Sequence, residues 1–89
     1  LLEIEISSQF KKDFKKLQKK SVQDVLAVGN LVGQLQRQEA LAEVYRDHAL
    51  VGNWHEFRDC HVKPDLVLIY RIHNQTLQLA RIGSHSELF

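Results

Sequence analysis

One run limits the fold more than any other. Leu66-Val67-Leu68-Ile69-Tyr70-Arg71-Ile72 is apolar on both of its alternating faces. A strand at a sheet surface alternates apolar and polar residues, whereas a strand without a polar face is covered on both sides. The run is therefore predicted to be a central strand. Lys63-Pro64-Asp65 before it suits a type I turn with Pro in the second position. His73-Asn74-Gln75-Thr76 after it suits a short hairpin, because Asn tolerates a left-handed backbone. Strands are predicted for the flanking runs, Phe57 to Val62 and Leu77 to Ile82.

The first half has a different period. Glu3-Ile4-Glu5-Ile6 alternates as a half-buried strand does, and Ser7 or Ser8 can cap a helix after it. Phe10, Phe14 and Leu17 then fall on one helical face, with Lys11, Lys12, Lys15, Lys16, Lys19 and Lys20 around the rest. Ser21 with Asp24 three residues on marks a second helix start, and Val22, Val25, Leu26, Val32 and Leu35 carry its stripe to about Arg37. Gly29 and Gly33 inside that helix read as points of close packing against the sheet. From Gln38 to Asn53 the pattern is weak, and Asp47 to Trp54 reads as a loop. The order β-α-α-β-β-β predicts an α+β fold in one domain, residues 1–89. Two N-terminal helices pack on one face of a mostly antiparallel four-stranded sheet.

Charge and cysteine usage narrow the function. Twelve Lys and Arg against eleven Asp and Glu give a net charge of +1, which excludes a histone-like binder but not a local basic patch. Cys60 is the only cysteine, so neither an intramolecular disulfide nor a cysteine-based zinc site can form within one chain. No signal peptide is visible and no run is long enough to span a bilayer. The expected location is the cytoplasm, with no membrane partner.

All five histidines lie in the second half, at positions 48, 55, 61, 73 and 85. His61 is near the end of one strand and Asp65 is in the turn that follows it. The central strand runs away from that edge, and the last strand returns Gly83-Ser84-His85 to it. His61, Asp65 and His85 are thereby expected to cluster, with Arg81 entering the same region if it faces the correct side. His48 joins them only if its loop folds back. Such a set suits transesterification of an RNA phosphodiester. Imidazoles and a carboxylate accept and donate protons near neutrality, and a guanidinium holds phosphate. DNA lacks the 2′-OH nucleophile.

Plainer roles stand beside these. Asp65 can be only a turn former, Arg81 an ion-paired strand residue, and the lysines a solvated face. His55 and His73 read as solvated, Trp54 and Phe57 as core, and Cys60 as a small buried hydrophobe. A zinc site from His48, His61, Asp65 and His85 is opposed by the absence of HExxH or any compact ligand pair.

The run Tyr45 to Trp54, then Arg58-Asp59-Cys60-His61-Val62-Lys63-Pro64-Asp65, then Leu68-Ile69-Tyr70, and finally Arg81-Ile82-Gly83-Ser84-His85-Ser86-Glu87-Leu88-Phe89 resembles the YafQ branch of the RelE/ParE toxin superfamily. The resemblance implies a RelE-like fold and a bacterial type II toxin that cuts mRNA on the ribosome without a metal or other cofactor. It implies His48, His61, Asp65 and His85 as the acid–base set, Phe89 as a residue that positions RNA, and Arg81 as a phosphate-stabilising group. The implied partners are a cognate antitoxin, mRNA and the ribosome, with operator DNA reached only through the antitoxin. The lysine-rich helix is a candidate ribosome or antitoxin surface. Leu66 stands where YafQ itself has a Trp, which removes a possible base-stacking group. ParE-like members imply the alternative, a non-catalytic toxin that binds a protein target such as gyrase.

Overall fold

The Leu66 run is the middle strand of a five-stranded sheet in the computed structural model, which describes all residues from Leu1 to Phe89. The elements are β1 (Glu3–Ile6), α1 (Ser8–Lys20), α2 (Val22–Gln36), β2 (His48–Ala49), β3 (Arg58–Lys63), β4 (Leu66–His73), β5 (Thr76–Gly83) and α3 (His85–Leu88). The strand order is β1-β5-β4-β3-β2; β1 runs parallel to β5 and the other pairs are antiparallel. The predicted α+β class and its two N-terminal helices hold. The sheet gains a strand over the four expected, because β2 lies within the segment read as a loop. Two residues are too short to show a period of two.

Local signals set the element ends. Ser7 caps α1 by accepting from the Phe10 backbone N–H at 2.9 Å, and its own hydroxyl donates to the Ala80 carbonyl of β5. Ser21 caps α2 through the Asp24 N–H at 3.2 Å. Asn74 and Gln75 both have positive φ, the pattern of a type I′ hairpin turn, whose twist matches that of its strands. Gly29 and Gly33 do not mark close packing. No atom lies within 4 Å of a Cβ built at Gly29, and at Gly33 only the flexible Arg37 side chain comes near. Helix α2 meets the sheet through Val28, Leu31 and Leu35 instead.

Burial divides β4 as its sequence requires. Leu66, Leu68 and Tyr70 join Phe10, Leu17, Leu31, Leu77 and Ile82 in the main core under α1 and α2. Val67 and Ile69 point the other way, into a smaller core with Leu88 of α3, edged by Leu50, Trp54, Phe57 and Ala80. Ile72 departs from the pattern and is half exposed near the hairpin. A bulge opposite Ile69 and Tyr70 inserts Ala80 into β5 and shifts its alternation, so that Ile82 shares the main core with Leu77 and Leu79. No helix is long and apolar enough to cross a membrane.

Leu68 is fully buried and lies opposite Cys60 and Ile82 on its two neighbour strands. Leu68→Ala is expected to destabilise the protein by about 2–5 kcal/mol, as transfer and cavity costs combine. Urea titration checks this: the midpoint should fall with the slope unchanged.

Candidate active site

The smaller core carries the histidines at its rim. His61 lies opposite Val67 in the β3–β4 register, and Val67 lies opposite Gly83, just before α3. A bulge follows His61, so Val62 is extra before Lys63 pairs with Leu66. The Pro64-Asp65 turn then leads into β4. Across the sheet end, Leu88 packs on Val67 and Ile69 and seats α3 over the same face. The His61 and His85 ring centroids are thereby 5.0 Å apart. Asp65 Oδ1 lies 3.9 Å from His85 Nδ1, an exposed ion pair when the ring is protonated and worth at most about 1 kcal/mol in water. Phe89 is exposed, with its ring 6.1 Å from that of His85. The expected His61–Asp65–His85 grouping is present.

His48 reaches this face through β2, which answers how its loop folds back. It pairs with Asp59, two residues before His61 on β3, so the three side chains share one side of the sheet. Diagonal neighbours of this kind sit roughly 7–8 Å apart. The residue before it is anchored: Asp47 accepts from the Tyr70 hydroxyl and from Arg58 Nε and Nη2. Burial, then Asp47, pushes the Tyr70 phenol well above its ordinary range. Hydrogen bonding to Asp47 raises Arg58 despite partial burial.

The short helix α3 is held by a full capping box. Ser84 Oγ accepts from the Glu87 N–H, and Glu87 Oε1 accepts from the Ser84 N–H at 2.9 Å. His85 is the first residue inside this box. Glu87 Oε2 also meets Lys16 of α1 at 3.0 Å. The Ser84 N–H first, then Lys16, then the Ser84 hydroxyl hold the Glu87 carboxyl down to about 2.

Beside these residues runs a polar groove of about 690 Å³ lined by α1, Lys63, Asp65 and Arg81. Arg81 is not free within it. Its Nε and Nη2 donate to Asp13 at 2.9 and 3.0 Å, and Asp13 also accepts the Ile82 N–H at 3.2 Å. Burial alone would raise the Asp13 carboxyl, but the Arg81, Gln9 and Ile82 hydrogen bonds outweigh it and lower it. Two of the five guanidinium N–H groups are so committed and Nη1 makes no hydrogen bond. Lys63 pairs with Asp24 at 2.9 Å.

The remaining residues take the plainer roles. His55 and His73 are exposed, away from the cluster's ring contacts. Cys60 is fully buried, and burial pushes its thiol up to about 12. Trp54 and Phe57 pack edge to face at 5.2 Å beside the smaller core. No three His, Cys, Asp or Glu side chains are arranged to hold a metal ion. Sequence reading missed Asp13, Asp59 and the α3 box. The box was legible as Ser84-x-x-Glu87, and Asp59 as the residue two before His61 on a strand.

Known proteins match this chain throughout. The family described as "Bacterial toxin of type II toxin-antitoxin system, YafQ" matches residues 2–89. The mRNA interferase toxin YafQ of Escherichia coli K12 is 40% identical over 88 residues, covering 98% of this chain and 95% of that protein. A metal-bound toxin from Helicobacter pylori superposes with a TM-score of 0.92 at 47% identity, with both chains fully covered. The Escherichia coli DinJ–YafQ complex contains a chain that superposes with a TM-score of 0.89 at 39% identity, covering 100% of this chain and 99% of that one.

The capping box generates a two-part prediction. Ser84→Ala should cost about 1 kcal/mol and speed amide exchange from His85 to Phe89. The lowered Glu87 carboxyl stabilises the fold above its ordinary value of 4.5 and loses that contribution as pH falls toward about 2. Between those pH values the wild type should therefore lose more stability than Glu87→Gln, measured by urea titration at each pH.

Proposed function

Since the chain belongs to the YafQ family of toxins from bacterial type II toxin–antitoxin systems, we propose that it is an mRNA interferase that cuts mRNA on the ribosome in the cytoplasm. A cognate antitoxin holds it inactive and carries it to operator DNA. The observation that supports cleavage is the 5.0 Å approach of the His61 and His85 rings, with Asp65 beside them and His48 on the same face.

In this reading the RNA supplies its own nucleophile. One imidazole of the set takes the proton of the ribose 2′-OH as that oxygen attacks the adjacent phosphorus. A protonated imidazole gives a proton to the departing 5′-oxygen, leaving a 2′,3′-cyclic phosphate on one fragment and a 5′-OH on the other. Two imidazole rings within reach of one nucleotide suffice for both transfers. Asp65 faces His85 Nδ1 at 3.9 Å and pairs with that ring when it carries the proton. Arg81, pinned by Asp13, turns its uncommitted donors to the phosphate oxygens, where charge grows in the transition state. Phe89, exposed beside His85, stacks on a base. Leu66 is buried and offers no such surface.

His61→Ala and His85→Ala are each expected to lower mRNA cleavage by roughly 10²–10⁴-fold with the fold intact. Primer extension on ribosome-bound mRNA reads the loss; full activity in both variants would end the assignment. Because side chains supply acid and base, cleavage should persist in EDTA with preformed ribosome complexes and magnesium restored. Activity recovered only by zinc or copper would make a metal part of the machinery. Intact mRNA together with inhibited DNA supercoiling would identify a gyrase-binding toxin instead.

A further inference from the structure

Asp59 is the one charged residue among the buried side chains, 3% exposed. Its Oδ1 is sealed from solvent yet makes no hydrogen bond of ordinary geometry. A buried carboxylate oxygen without a partner is destabilising, so its presence calls for an explanation. The nearest cationic candidate is His48, whose Nδ1 lies 3.1 Å from that oxygen. The same Nδ1 lies 2.8 Å from the Arg46 carbonyl oxygen. The β2–β3 register sets His48 directly opposite Asp59.

Both oxygens facing Nδ1 are acceptors, so Nδ1 must carry the hydrogen. The geometry points to Asp59 as a positioning residue. It locks His48 as the Nδ1–H tautomer and leaves Nε2 as the nitrogen that works on the RNA. The Arg46 carbonyl takes the better-aligned share of that hydrogen, while the buried Asp59 carboxylate opposes any flip of the ring. Arg46 itself is left-handed and closes the turn that precedes β2. Two β2 residues alone could not hold a half-exposed imidazole in one orientation; a carboxylate rooted in the next strand can. This deepens the proposed acid–base role of His48 and rests on it, but the tautomer itself is independent of cleavage.

The test is nitrogen-15 NMR of histidine-labelled protein joined to single-turnover cleavage. In the wild type, His48 should show the Nδ1–H pattern whenever it is neutral; an Nε2–H pattern would overturn the inference without any variant. In Asp59→Asn the amide can donate to Nδ1, so the Nε2–H form should appear. Cleavage should slow by about 10–100-fold, the scale for partners that orient a working imidazole, with little change in KM. Asp59→Asn should then add nothing on a His48→Ala background. An unchanged His48 tautomer in Asp59→Asn, or a full additional loss on the His48→Ala background, would show a purely structural Asp59 and overturn the inference. If the wild type cleaved no RNA, the proposed function would fall, and the tautomer measurement alone would decide whether Asp59 holds His48.

Discussion

A strand with no polar face must be covered twice, and that constraint on β4 organises the molecule. Helices α1 and α2 cover one side with a core running from Leu2 to Ile82. What remains for the other side is small: the four-residue α3, a few loop residues and the inward faces of Val67 and Ile69. Covering hydrophobic surface near the chain end with so little structure leaves the rim open. The rim is where His48, His61, Asp65 and His85 are found. Packing of Leu88 therefore has a chemical consequence, since the helix that seals the second core also carries His85 to His61.

Three of the five cationic side chains that line the groove are paired. The groove next to the histidines is lined with lysine and arginine, yet Lys16, Lys63 and Arg81 each meet a carboxylate, from Glu87, Asp24 and Asp13. The Asp13 pair does most structurally. Strand β1 ends at Ile6, which pairs with Leu79, so the β5 edge beyond lacks a strand partner there. Asp13 accepts the Ile82 N–H of that edge and fixes the Arg81 guanidinium in the same geometry. An arginine so held keeps little rotamer freedom. Glu87 plays a related part, closing the α3 cap while tying that helix to α1.

Much of this was open to reading along the chain. Ser7 or Ser8, and Ser21, announced their helices, Pro64-Asp65 and Asn74-Gln75 their turns, and Phe10, Phe14 and Leu17 the inward stripe of α1. The return of the last strand to the His61 edge follows from two tight hairpins, so the meeting of His61, Asp65 and His85 is implied by the order of strands and turns. Residues 61 and 85 are brought together by strand count and direction, which short-range patterns determine.

Other features had no local signature. The glycines of α2 looked like packing contacts and face open space, because a missing side chain does not say what lies beside it. Strand β2 is too short for a period, and its pairing places His48 against Asp59 from eleven residues away. Arg81 reads along the chain as an ion-paired strand residue or a phosphate-stabilising one; a bulge at Ala80 and the free edge of β5 pair it with Asp13 on the first helix and leave Nη1 free. The sequence alone determined the order of the longer elements, the caps of α1 and α2, the two hairpin turns, and which strand is central, since hydrophobic period and backbone preference act over a few residues. Only the tertiary structure decided which carboxylate meets which imidazole or guanidinium, because those contacts depend on register, bulges and strand edges that arise when distant segments pack.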